Sequence, residues 1–206
     1  MAKRSAADAA KTRGAILESA QALFTENGYA ATSIAAIASS AGVTDGAVFH
    51  HFKSKKQIFC EIAVTLHAQI HREIYKAGQD ANSAIEAFIL GSRASMRITQ
   101  EPANQRIVFI EGPVVLGTEK WREIDQQLGL RLIEGGLLNI AGVSKLPDAI
   151  LKPMAMLALG TTNEITYALI RKQTGIDPEQ CLELLVRALQ LWVNTDVAEW
   201  KRQNAE

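Results

Sequence analysis

The sequence predicts an all-α fold, and three observations carry that prediction. Apolar residues recur at three- and four-residue spacing along nearly the whole chain, whereas the alternation expected of a half-buried strand is almost absent. The breaks fall where helices end or begin: Gly28 and Gly78 close apolar-periodic runs, and Asp177-Pro178 opens one. The chain has 206 residues, of which 48% are hydrophobic, and its mean hydropathy is +0.02. It can therefore build a proper core as one large or two small domains.

The elements are expected in the following order. A first helix runs from Lys11 to Asn27, with Ile16, Ala20, Leu23 and Phe24 on one face and Gly28 as its cap. A short helix opens at Thr32 or Ser33 and turns Ile34, Ile37 and Ala38 inward; a second opens at Thr44. A long helix begins at Ser54, where Ser54 and Gln57 have the spacing of a capping box. Its inner stripe is Phe59, Ile62, Leu66, Ile70 and Ile74. Longer, greasier helices follow: "ANSAIEAFILGSRASMRITQ", then "ANQRIVFIE" stopped by Gly112-Pro113, then "TEKWREIDQQLGLRLIEGGLLNIAG". The last two are "DAILKPMAMLALGTTNEITYALIRKQ" and "DPEQCLELLVRALQLWVNTD". The domain boundary is expected inside the long helix, giving domains of 10–70 and 71–206.

Composition narrows the function classes. No apolar run approaches the ~18 residues of a membrane span, and the basic start lacks a signal-peptide core. The only cysteines, Cys60 and Cys181, are far apart and read as reduced thiols. A cytoplasmic location is expected. No nucleophile elbow, phosphate loop or dinucleotide fingerprint is present, so no enzyme activity and no cofactor are expected. His67 and His71 lie one turn apart, but "HAQIH" lacks the glutamate of a zincin and no acid follows on that face. They read as a solvated or polar-packed pair, and no metal is expected. Net charge is zero overall, yet residues 1–60 hold seven basic and four acidic residues. A basic start is a pointer to nucleic acid.

The stretch "TSIAAIASSAGVTDGAVFHHF", residues 32–52, has the pattern of a helix-turn-helix. Ala38 is small enough for a second helix to cross closely, and Gly42 suits a left-handed turn. Val48 and Phe52 face inward; Asp45, Gly46, Phe49 and His50 face outward. Gly46 and Ala47 are poor core residues that let the backbone approach a DNA groove. Lys53, Lys55 and Lys56 surround the next helix start, where phosphate would sit.

The string "FTENGYAATSIAAIASSAGVTDGAVFHHFKSK" resembles the DNA-binding domain of the TetR/AcrR family of transcriptional regulators nearly end to end. The resemblance implies an N-terminal three-helix helix-turn-helix DNA-binding domain and a C-terminal helical ligand-binding and dimerisation bundle. It implies that Ser33 and Lys55 bind phosphate, that Thr44 meets phosphate or a base edge, and that Asp45, Gly46, Ala47, Phe49 and His50 lie at the groove. Position 49 is usually tyrosine in the family, so Phe49 loses a hydroxyl contact. The expected function is a homodimeric repressor released from a palindromic double-stranded DNA operator by a small apolar or amphipathic effector. The alternatives are an activator, a regulator tuned by a protein partner, or a helical interaction or metal-sensing protein with vestigial DNA binding.

Two further expectations concern the second part. The last helix carries a wide apolar arc, with Leu182, Leu185, Val186, Leu189, Trp192 and Val193 flanked by Cys181, Leu184, Ala188 and Leu191. That width predicts dimerisation through the last two helices. The effector pocket is expected within 82–175, walled by Phe88, Met96, Phe109, Trp121 and Leu128. Asn163 and Tyr167, one turn apart in a polar interruption of a greasy helix, are the expected anchors.

Overall fold

The computed structural model describes residues 6–140 and 148–194, and of residues 148–149 and 192–194 the backbone alone. Those residues are helical throughout apart from short connections, with no strand among them. They form two compact units. The first comprises 1–69 with 99–124, and the second 70–98 with 125–206.

In the first unit, α1 (Ala6–Ala31) is broken at Gly28, whose φ of 84° and ψ of 167° lie in a region essentially reserved for glycine. The sequence-predicted end at Asn27 is thus the break; one further turn follows it. α2 (Ile34–Ser40) is capped by Ser33, whose Oγ accepts from Ala36 N–H. Gly42 makes the turn at φ 66°. α3 (Asp45–His51) is capped by Thr44, whose Oγ1 accepts from Ala47 N–H. α4 (Lys55–Ala77) opens with a variant of the expected box: Ser54 Oγ accepts from Gln57 N–H, and Gln57 Oε1 accepts from Lys53 N–H. The inward residues of these helices meet in one core of Ile16, Phe24, Ile37, Val48, Phe52 and Phe59, each at most 1% exposed. The Phe24, Tyr29 and Phe59 rings pack edge-to-face or tilted, 5.2–5.8 Å apart.

The segment 99–124 contributes three short helices. A π-helical stretch, π1 (Asn104–Glu111), continues into α6 (Gly112–Leu116). The sequence placed a stop at Gly112-Pro113, and the structure corrects it. Pro113 sits in the first turn of α6, where its missing N–H costs nothing, and the stop comes at Gly117, φ 92°. Gly112 is required for packing: a Cβ there would lie 2.8 Å from Trp121 Cζ3 of α7 (Thr118–Asp125). π1 packs on α1.

The second unit holds the end of α4, α5 (Ala84–Ile98), π2 (Gln126–Leu130), α8 (Arg131–Leu138), α9 (Asp148–Ile170) and α10 (Pro178–Asn194). Leu137, Ile140, Leu151, Met154, Ala155, Leu185 and Leu189 form its core, with Phe88 and Ile133 packed at the edge. Pro153 lies inside α9, past its first turn.

Gly28 anchors the first unit, so replacing it tests the fold. Gly28→Ala should destabilise the chain by about 1–3 kcal/mol, read as a lower midpoint in denaturant unfolding. Gly14→Ala, at a helical position with nothing within 4 Å of the added Cβ, should be neutral or slightly stabilising.

Candidate nucleic-acid interface and effector cavity

Two places in the molecule leave side chains without an internal purpose. The first is the outer face of α3. Val48 is fully buried and Phe52 nearly so, while Asp45, Gly46 and His50 are exposed, Ala47 is half-buried, and Phe49 is 56% exposed. A Cβ at Gly46 would meet only Thr44 Oγ1, at 3.9 Å. Packing therefore gives no reason for glycine there.

The two cap hydroxyls, Ser33 and Thr44, are exposed. Each accepts a backbone N–H and keeps its own proton to donate. The basic residues divide into two groups. Lys53 and Lys56 project into solvent. Lys55 does not: its Nζ donates to the carbonyls of Tyr29 and Thr32, each at 2.7 Å, and lies 4.3 Å from the centre of the Tyr29 ring. Two of its three donors hold the end of α1. Arg13 is likewise internal, paired with Glu61 and stacked 4.7 Å over Phe52. Part of the basic excess in residues 1–60 thus serves folding.

π1 fastens the broken end of α1. Arg106 Nη1 donates to the Thr25 and Glu26 carbonyls at 3.2 and 2.9 Å, and Glu111 Oε2 accepts the Tyr29 N–H at 2.9 Å. Arg106 and Glu111 face each other at 3.7 Å. A Cβ on Gly28 would stand 2.6 Å from Glu111 Oε1 and 2.8 Å from Arg106 Nη2. The α1 terminus has open carbonyls and an open N–H, and this ion pair satisfies two of the carbonyls and the N–H. Burial pushes the Tyr29 phenol up from its ordinary pKa.

The second place is a cavity of about 880 Å³ within the second unit, reached by α4, α5, π2, α8 and α9. Of the residues expected to wall it, Phe88 and Asn163 do; Met96, Phe109, Trp121, Leu128 and Tyr167 are not among its lining residues. Trp121 is committed elsewhere, against Gly112 and edge-on to His67 with ring centres 5.4 Å apart. The sequence reading missed His71, Arg131, Gly135, Gly136 and Leu159, which line it.

Asn163 Nδ2 donates to Asp125 Oδ2 at 3.1 Å. Burial first, and the Asp125 carboxylate second, raise the Tyr167 pKa. Of the two alternatives read for the histidine pair, solvated or polar-packed, the first does not hold for His67, which is 4% exposed. An acid does stand beside His71, because the fold brings Asp125 in from α7; their nearest ligand atoms lie within 4.8 Å.

The sequence of the first unit matches the model of "Bacterial regulatory proteins, tetR family" over residues 16–62. Residues 85–194 match "Tetracyclin repressor-like, C-terminal domain". The chain belongs to the TetR family of regulatory proteins. It is similar to the transcriptional regulator AcrR of Shigella flexneri, at 45% identity over 62 residues, 30% of this chain and 29% of that one. It is similar to the transcriptional repressor KstR2 of Rhodococcus jostii, at 35% identity over 113 residues, 48% of this chain and 55% of the relative. In both pairs the match spans less than two thirds of the relative's length. A TetR-family transcriptional regulator from Pectobacterium atrosepticum superposes with a TM-score of 0.66 at 27% identity, covering 92% of this chain and 95% of that one. Among the described residues no helix is long and apolar enough to cross a membrane.

The contrast between two neighbouring lysines can be measured. Lys55→Ala should lower the unfolding midpoint, because it strips donors from two carbonyls, at about 1–3 kcal/mol for bonds to a charged group. Lys56→Ala should leave stability within about 0.5 kcal/mol. Chemical denaturation of both variants, side by side, decides it.

Proposed function

We propose that the chain is a homodimeric repressor that binds a palindromic operator through α3 and leaves it when a small apolar or amphipathic molecule enters the cavity of the second unit. The observation that carries this reading is the outer face of α3. It combines an exposed aromatic, an exposed histidine and an unoccupied Gly46 surface with Lys53 and Lys56 alongside. These are the requirements for seating a helix in a major groove and positioning it on phosphates. On this reading Ser33 and Thr44 donate to phosphate or a base edge. Asp45, Gly46, Ala47, Phe49 and His50 lie at the groove. Lys55 supports the site by holding α1 and has one donor left for phosphate. The kinship with the repressor KstR2 supports regulation by repression. Residues 10–70 carry DNA binding and 71–206 carry effector binding and dimerisation, with the helices of 99–124 linking the two activities through their grip on α1.

Dimerisation is supported by apolar surface that the single chain leaves uncovered. On α10, Leu182, Leu185, Val186 and Leu189 are buried, while Leu184 is 61% and Leu191 68% exposed. The side chains of Trp192 and Val193, expected on this stripe, lie outside the described residues. On α9, Met156 and Leu157 are exposed beside Gly160, where a Cβ would meet nothing within 4 Å. A partner helix can approach closely there. Two such faces are what a helical dimer interface needs.

The operator reading predicts an enriched palindromic motif when the protein selects from random duplexes. Half-sites should be spaced by about one helical turn or more, and affinity should fall steeply with salt. His50→Ala should alter the bases preferred, at about 1–3 kcal/mol per lost contact, whereas Lys56→Ala should weaken all sequences alike. Selection without enrichment refutes the reading. For the dimer, the double change Leu184→Glu and Leu191→Glu should convert a dimer into monomer in sedimentation at micromolar concentration. A wild-type chain that sediments as monomer refutes dimerisation.

A further inference from the structure

We infer that the cavity of the second unit takes an amphipathic anion, its apolar body inside and a single acidic head at the mouth beside Arg131. The inference rests on reading this cavity as the effector site and specifies what that effector is. Ile74, Phe88, Ile133 and Leu159 give the interior its apolar wall. The lining residues exposed to solvent, and hence at the mouth, include Tyr75, Gln79, Arg131 and Asn139.

Among the described residues that line the cavity, Arg131 is the one permanent charge, and no aspartate or glutamate lines it. A cation entering would meet a like charge with no carboxylate in the wall to offset it. A carboxylate or similar head would gain a charge-assisted hydrogen bond from the guanidinium. Glu134, one turn from Arg131 on α8, and Asp125, engaged by Asn163, are the nearby acids, and neither is a lining residue. At the inner end, Thr162 Oγ1 is bonded to the Ala158 and Leu159 carbonyls and Asn163 to Asp125. Those two side chains are engaged within the protein, which suits an apolar tail beside them.

Gly135 and Gly136 supply an independent observation. They are adjacent, both helical, and both line the cavity. Each costs about 1 kcal/mol of helix stability relative to alanine. Neither has a positive φ, and a Cβ on either would touch nothing within 4 Å. Packing and backbone geometry therefore give no reason for them. By contrast, a Cβ at Gly129 would come within 3.1 Å of Leu159 Cδ1, so that glycine is needed for packing. The glycine pair keeps one wall of the cavity bare, and a side chain there would occupy ligand space without disturbing the fold.

The test is calorimetric titration of the full chain with three probes that share one tail: decanoate, decanol and decylammonium. Decanoate should bind about tenfold more tightly than decanol, the difference between a charge-assisted and a neutral hydrogen bond. Decylammonium should bind most weakly. Arg131→Gln should bring decanoate down to the level of decanol and leave decanol unchanged, while Arg131→Lys should retain part of the preference. Gly136→Leu should weaken decanoate and decanol by the same factor with no loss of thermal stability. The inference is overturned by binding of none of the three, by decylammonium matching decanoate, or by a decanoate preference that survives Arg131→Gln. Duplex binding by the same ligand-free preparation separates the two readings. Operator bound with no probe bound rejects the anion class alone; probes bound with no operator bound rejects the repressor and leaves the cavity's ligand class standing.

Discussion

The first unit depends on a single backbone break. Gly28 takes a conformation that a residue with a Cβ enters only under strain. The chain after it is thereby turned so that Tyr29 packs on Phe24 and Phe59, and Thr32 Oγ1 bonds back to the Gly28 carbonyl at 2.8 Å. That fixes where α2 begins, and so where α3 lies. The break also opens polar groups at the end of α1, which three side chains from distant positions close: Lys55, Arg106 and Glu111. Their convergence within a small volume ties α1, the start of α4 and π1 into one body.

That arrangement gives α2 and α3 a fixed seat on α1. Arg106 and Glu111 are half-buried and mutually paired. Their bonds to α1 are short-range and directional, so a small displacement of π1 breaks them outright rather than weakening them gradually. The chain runs directly from α7 into π2, and α5 and π2 both line the cavity of the second unit.

Much of the helical order and of the exposed face of α3 was legible in the residues. Local rules decide both. The caps at Ser33 and Thr44, the left-handed Gly42 and the inward pair Val48 and Phe52 each depend on neighbours within one or two turns. The same locality explains the error at Gly112-Pro113. The dipeptide reads as a stop, but proline in a first helical turn is tolerated, and the reason for Gly112 is the Trp121 ring, supplied by the next helix.

The cavity was only partly legible, for a physical reason. A hydrophobic residue in a helical pattern reads the same whether it faces the core, a partner or a void. Phe88 and Asn163 line the cavity while Trp121 and Tyr167 do not, although all four looked alike as candidates. Lys55 makes the same point for charge: a lysine in a basic cluster reads as a phosphate ligand, and only the path of the chain before Thr32 places two carbonyls beneath it. The sequence by itself determined the all-α class, the helix-turn-helix and the face it presents, because periodicity, capping and turn chemistry act over a few residues. Tertiary structure decided which polar and glycine positions serve folding and which line an open space, because that depends on what distant segments bring into contact.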